Sequence, residues 1–585
     1  MKGFFKIFFA SLLSLVVFSG LCMLLLFFIL LFATLRAPVS IPDGSVLVVD
    51  LTKPLPEQDQ TNPLNAVLHN GPSDIPGLFS TATVIRESAT DRRIRGIYLR
   101  LGADPNGLAS GEEIRDALLY FRSSGKFILA YGDDITQKSY YIASAATKIY
   151  LNPKGELDFR GFAVEEMFLK HLLDKLEIHP QIFYDGKFKS ATEPLRVDKM
   201  TDANRLQTSA MLGDEYRHFL LGISEERHID TATLAGYADS LRVRTAGDAY
   251  RLGLVDGLRY DDQVSGALRR DAGYAPGQSA PLVSTSVYKQ AGSSVKGGTE
   301  QVAIVYAEGD IVDGKAQDNG LEIAADDYVS LLRRLRRDPQ VRAIVFRVNS
   351  PGGSALAAEK IWRELSLTEK SIPVVVSMGD YAASGGYYIS CGADRIFAEP
   401  STLTGSIGVF GIIPDLSSFF NDKLGITFDG VKTAPFADME SIAKPLTAQE
   451  KQIIQESIDT TYAVFKERVA TGRKLEPSFV DSIAQGRVWT GHEALQIGLV
   501  DSLGNLEAAI REAAKLAHLG TYSLQSYPQV RFDLRSALIN LEGNSRVNMM
   551  KQELGDQYPL FRELRDISRF KGIIQARIPY SLDIE

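Results

Sequence analysis

The residues of this chain that could do chemistry are a serine, a pair of glycines and two lysines. Ser384 stands in MGDYAASGGYY, where Ile372–Met378 reads as a buried strand, Gly379-Asp380 as a turn, and residues 382–391 as a helix. A serine at a sharp strand-to-helix junction presents its hydroxyl at an open sheet end, near helix N–H groups that lack partners. Alone, such a serine is read as a helix cap. Gly352-Gly353, in NSPGGS, follows a second apolar strand, AIVFRVN at 343–349. Consecutive glycines there can aim a backbone N–H into a pocket and hold an oxyanion. Reactive crevices of open α/β sheets lie at the carboxyl ends of strands, where both features fall.

A nucleophilic serine needs a base. The seven histidines (69, 171, 179, 218, 228, 492 and 518) are scattered, and none sits in a stretch resembling a catalytic triad. A lysine can serve instead if burial lowers its pKa toward neutrality. Lys189, in YDGKFKSATEPL after a short strand Gln181–Tyr184, is the favoured candidate for its fuller surrounding pattern. Lys432, in FDGVKTA (428–434), aligns beside it with a one-residue gap and is the alternative. No HExxH, CxxC or clustered His/Asp/Glu spacing appears, nor any GxxxxGK[ST] loop, so neither a metal nor another cofactor nor ATP is expected.

The elements that must position these residues occur twice. RGIYLRL (95–101) matches RAIVFRV (342–348), and YYIASAATKIYLNP (140–153) matches YYISCGADRIFAEP (387–400), both at an offset of 247. AYRLGLVDGL (249–258) matches ALQIGLVDSL (494–503) at 245. One offset over roughly 160 residues means two copies of one fold rather than a short-period solenoid. In the second copy, strands at 302–309, 343–349, 373–378 and 395–399 alternate with helices at 325–337, 355–367, 382–391 and 447–470, an α/β class fold with a mainly parallel sheet. The expected division is an anchor at 1–40, a first repeat at 41–270, a Gly/Ser/Pro-rich linker at 271–300, a second repeat at 301–525 and a C-terminal extension at 526–585 without readable chemistry. The copies differ where chemistry would sit: Gln137 pairs with Ser384, and Pro105-Asn106 with Gly352-Gly353.

Residues 7–35 carry no charge and are long enough to cross a bilayer, while Lys2 and Lys6 before them favour an N-terminus inside and the rest outside. Leu-Arg-Ala at 35–37 is a poor cleavage site, which favours an uncleaved anchor. Cys22 lies in that run and Cys391 beyond it, so no internal disulfide is expected. The net charge of −8 argues against nucleic acid as a partner.

MGDYAASGGYY, NSPGG, TLTGSIG and GKFKSATEP, together with the anchor and the order of the two copies, resemble the long form of the signal peptide peptidase A, or protease IV, family of membrane-bound serine/lysine peptidases. The resemblance implies a ClpP/crotonase-like fold in each copy and a homo-oligomer, with a tetramer suspected. It implies Ser384 as nucleophile, Lys189 as general base, the N–H groups of Gly353 and Gly385 as oxyanion donors, and Ser406 in TGSIG as orienting the lysine. It further implies cleaved signal peptides and similar short apolar peptides as substrates, at the outer face of a bacterial inner membrane. The working serine and lysine would then come from different copies, meeting within one chain or between neighbours. The alternatives are a crotonase-type acyl-CoA enzyme, for which no adenine-binding signature appears, and a non-enzymatic membrane scaffold, which has no use for the asymmetric serine and diglycine.

Overall fold

The computed structural model describes residues 2–34, 40–61, 74–292, 297–316, 322–529 and 574–578, with positions 550, 553 and 555. A helix, Lys2–Thr34, comes first, and its apolar stretch Gly3–Leu25 is long enough to cross a membrane and is not buried by the described residues. Such a helix fits a membrane anchor.

Two sheets follow, with the same strand order. The first runs Gly257–Leu258, Lys148–Leu157, Phe127–Ile135, Ile94–Arg100, Ser45–Asp50, Leu282–Ser284, all parallel. The second repeats that order through Ser502–Leu503, Arg395–Ala398, Val374–Ala383, Val341–Ser350, Gln301–Glu308 and Ser523–Tyr527. The duplication read from sequence is therefore a duplication of topology. The β-branched runs Val46–Val49 and Val374–Val376 are buried on both faces, as central parallel strands covered by crossover helices must be. Ala325–Arg337 shows how such a helix is specified. Tyr328, Leu331, Leu332 and Leu335 recur at helical spacing and are buried, Asp326 and Asp327 occupy the first turn, and three arginines occupy the last.

Two expectations are corrected. Gly379-Asp380 is not a turn: the strand continues from Val374 to Ala383, and the chain turns only at Ser384, so the helix is Gly385–Ser390. The extra length arises because Asp380, polar and mid-strand, is held by the first copy; its carboxylate accepts from Ser110 N–H at 2.9 Å and from the Ser110 hydroxyl at 2.7 Å. The segment 271–300 is not wholly linker: Leu282–Ser284 adds an edge strand to the first sheet, and Thr285–Gln290 is a helix. Its second-copy counterpart is Ser523–Tyr527, which straddles the end of the second repeat at 525, so each unit ends on an edge strand.

The copies are locked together by buried charge. Arg347 of the second copy is fully buried; its guanidinium donates to Glu57 at 2.8 Å and pairs with Glu113 at 2.7 Å, both from the first copy. It also donates to Ser377 Oγ and the Met378 carbonyl, each at 3.0 Å. Removing one member of a buried cluster leaves uncompensated charge. Arg347→Met is therefore expected to lose about 3–5 kcal/mol of stability, read from urea unfolding, whereas replacing an exposed arginine such as Arg363 should change it by less than about 0.5 kcal/mol.

Candidate active site

Lys189 reaches the second copy because the strand before it belongs to a sheet that both copies build. His179–Asp185 pairs antiparallel with Val409–Asp415 over seven residues. The chain then turns at Gly186 and leads through Phe188, whose N–H donates to the Gln485 carbonyl at 2.7 Å. Gly486 backs the lysine so closely that a Cβ there would lie 2.7 Å from Lys189 N. Beyond Lys189 a short 3₁₀ turn, Ser190–Thr192, and the helix Glu193–Arg196 continue. The KSATEP run is thus the turn that ends a strand and closes over the amine.

Ser384 is placed by the opposite junction. Ala383 pairs with Gly405, and Ser384 N–H donates to the Gly405 carbonyl at 2.8 Å. The chain turns there with φ 53° and ψ −110°, a region a non-glycine residue adopts at a cost of about 1–3 kcal/mol. That cost turns the serine out of the strand and puts the following N–H groups at the head of the Gly385–Ser390 helix. Ser406 also has a positive φ, 48°.

Lys189 Nζ lies 2.9 Å from Ser384 Oγ, 3.1 Å from Ser406 Oγ and 3.3 Å from the Ser406 carbonyl oxygen. Ser384 Oγ lies 3.3 Å from the Gly408 carbonyl. Lys189, Ser384 and Ser406 are each at most 1% exposed. Burial pushes the lysine amine well below its ordinary pKa, and no carboxylate opposes the shift. A neutral amine at hydrogen-bond distance can accept the hydroxyl proton, which an ammonium cannot. Across the serine stands the diglycine: a Cβ on Gly385 would sit 3.1 Å from Gly353 N, so the two backbone nitrogens face one small space.

Four of the positions singled out from sequence thus converge with Lys189, and the contact is made within one chain. Lys432 does not join them. Its side chain is 46% exposed, and its ammonium donates to the Pro435 carbonyl at 3.0 Å and pairs with Asp438 at 3.1 Å. Lys432 follows no strand that crosses to a sheet end, since 428–434 is irregular surface chain. Among the described histidines, His218 pairs with Glu112 at 2.9 Å and His492 with Asp214 at 3.1 Å. At the position of Ser384, the first copy's Gln137 instead ties down a loop, its side chain bonding Gly161 N–H and carbonyl, each at 2.9 Å.

One neighbour of the site lies outside the residues singled out from sequence. Gln575–Arg577, from the C-terminal extension, pairs antiparallel with Gly352–Ser354 and, at Gln575, with Phe410. It is a three-residue strand within the alternating run Ile574-Gln575-Ala576-Arg577-Ile578, too short a pattern to mark a strand by itself.

The class of protein follows from the similarities of the sequence, which make this duplicated α/β chain a serine peptidase. The signature of Peptidase family S49 matches twice, over residues 120–274 and 366–520, and the chain belongs to that family. Protease 4 of Salmonella typhi is 39% identical over 80% of this chain and 76% of its own. Protease 4 of Haemophilus influenzae is 33% identical over 84% and 83% respectively. The chloroplastic serine protease SPPA of Arabidopsis thaliana is 32% identical over 74% of this chain and 64% of its own.

The buried amine has a consequence for stability. The fold favours the neutral form of Lys189, while the unfolded chain holds its proton up to about pH 10.4. The penalty is therefore full below the folded pKa and fades as pH rises toward the unfolded value. Lys189→Met is expected to gain stability over wild type at neutral pH, and to lose that gain as pH approaches about 10. Urea unfolding of both proteins across this range checks it; a difference independent of pH would mean the amine keeps its proton in the fold.

Proposed function

We propose that this chain is a membrane-anchored serine endopeptidase whose nucleophile is Ser384 and whose general base is Lys189. The observation that carries the reading is the 2.9 Å contact between a buried lysine amine, free of any carboxylate, and a serine hydroxyl on a strained junction. Ser384 Oγ attacks the peptide carbonyl as its proton passes to Lys189 Nζ. The oxyanion is held by the N–H groups of Gly353 and Gly385, donors fixed in advance of the charge. The ammonium then protonates the leaving amine, and the same lysine, neutral again, activates the water that releases the acyl group. Ser406 directs Nζ toward Ser384 through its hydroxyl and carbonyl, while the Gly408 carbonyl steadies the serine.

The substrates proposed are cleaved signal peptides and other short apolar peptides. An N-terminal anchor would keep the site close to where such peptides are left, at the extracytoplasmic face of the inner membrane, in a homo-oligomer.

Peptide hydrolysis by single variants tests the assignment. Ser384→Ala and Lys189→Ala are expected to lose kcat by on the order of 10⁴–10⁶-fold, and Lys432→Ala to keep wild-type turnover. Activity retained in Lys189→Ala and lost in Lys432→Ala would move the base into the second copy. Gly353→Ala, whose Cβ would come 2.1 Å from the Ile311 carbonyl oxygen, must displace the donor strand. It is expected to lower kcat by about 10²–10³-fold. In wild type, kcat/KM is expected to rise with pH through the depressed pKa of Lys189 and then level off, since only the neutral amine accepts the proton.

A further inference from the structure

Lys189 is the middle residue of a three-residue turn. Its backbone stands at φ −73° and ψ 79°, and Ser190 N–H donates to the Phe188 carbonyl at 2.8 Å, which makes an inverse γ-turn. One bond across three residues is a weak brace for a side chain that must hold its amine on a serine hydroxyl. A second brace comes from the helix Asp202–Arg227. Gln207, 4% exposed, donates from Nε2 to the Phe188 carbonyl and to Ser190 Oγ, each at 3.0 Å, so one amide group holds both ends of the turn. Its Oε1 accepts from Val488 N–H at 3.3 Å. Val488 pairs with Gly405, whose carbonyl accepts from Ser384 N–H at 2.8 Å, and the carbonyl of Arg487 accepts from Ser406 N–H at 2.7 Å. The glutamine thus stands between the segment that carries the amine and the strand that supports both serines.

The direction of this amide is set by a carboxylate. Asn204 Nδ2 lies 3.2 and 3.0 Å from the two Glu166 oxygens. A carboxylate accepts and does not donate, so the Asn204 amino group faces it, and Asn204 Oδ1 faces Gln207 Nε2 at 3.1 Å. The Thr208 hydroxyl donates to the same oxygen at 3.3 Å. Gln207 must then present Nε2 to Asn204 and to the turn, which leaves Oε1 for Val488. Reversed, its oxygen would meet the Phe188 carbonyl with no proton between them, and its amino group would meet the Val488 N–H. Both backbone groups would lose a partner in a buried place.

We infer that Gln207 is a positioning residue for the peptidase reaction, fixing the Lys189 turn against the Val488 strand, and that Glu166 sets its direction through Asn204. This rests on the function proposed above. With the brace in place, Lys189 Nζ stays within reach of Ser384 Oγ and closed to water. Without it the turn loosens. The amine then draws away from the serine, which slows the proton transfer, and water reaches it, which returns part of its ordinary basicity.

Steady-state hydrolysis of a fluorogenic alanine-rich peptide by the full-length protein in detergent, followed across the pH range in which kcat/KM rises, tests the inference. Gln207→Met stays close in size and removes both the donor and the acceptor. It is expected to lower kcat by about 10–100-fold with KM unchanged, and to move the rise of kcat/KM upward by about one pH unit. A smaller folded fraction would scale that profile without moving it. Glu166→Gln, at a half-buried position, frees the Asn204 amide to turn over. It is expected to give both effects in the same direction but smaller, and it decides the matter if Gln207→Met does not fold. Gln452→Met, on an exposed helix face, is expected to match wild type. Gln207→Met with wild-type kcat, or with a profile lowered but not moved, overturns the inference and leaves the function standing, as does a wild-type profile for Glu166→Gln. Lys189→Met that still hydrolyses the peptide overturns the function on which it rests.

Discussion

A lysine amine buried without a counter-charge is the constraint around which this molecule is arranged. Burying an ammonium costs several kcal/mol, and a protein normally avoids that cost by pairing the charge or leaving it in water. Here neither happens: the described surroundings of Lys189 Nζ are two hydroxyls and a carbonyl. Burial lowers the amine's pKa and so favours the neutral form, which lessens the penalty and is able to accept a proton. A base of this kind survives only where the walls around it are too rigid to let water in. The seven-residue strand pairing before it and the Gln485–Gly486 backbone behind it supply that rigidity.

Those walls come from both copies, so the relation between the copies matters as much as either fold. The Arg347–Glu57–Glu113 cluster and the Asp380–Ser110 contact tie the second sheet to the first. Asp380 lies four residues before Ser384 on the same strand, so one interface contact fixes the strand whose end delivers the serine. Charge buried this way contributes little net stability, but it specifies one arrangement of the two halves, since a shift would leave carboxylates unpaired in a dry interface.

Duplication let the two halves divide the work. The first copy has no serine at its junction and no diglycine at its strand end, and the replacements have become structural. Gln137 ties its loop, and Asn106 accepts from Leu55 N–H at 2.7 Å. The second copy retains both features, and its own lysine at the corresponding place is drawn out to the surface by Asp438. Lys189 comes from one half and Ser384 and Ser406 from the other, and they meet only where the halves touch.

The duplication, the alternation of strands and helices, and the positions of Ser384, Lys189 and Gly353 were legible in the chain because each is local or periodic. Apolar runs, a small-residue junction and a constant offset survive in one dimension. Tertiary structure alone decided that Gly379-Asp380 continues a strand, since an aspartate reads as a turn until a partner from the other copy holds it. It alone decided that Leu282–Ser284 is an edge strand, because three residues among Gly, Pro and Ser carry too short a pattern to stand out. Lys432 aligns beside Lys189 with a one-residue gap, and the pairing of His179–Asp185 with Val409–Asp415 carries Lys189 into a buried contact while Lys432 stays in water. The strand Gln575–Arg577 lies in a run that alternates apolar and polar residues, a pattern too short to stand out until the strands on either side give it partners. What a chain writes locally can be read from it directly; what depends on contact between distant segments exists only once they meet.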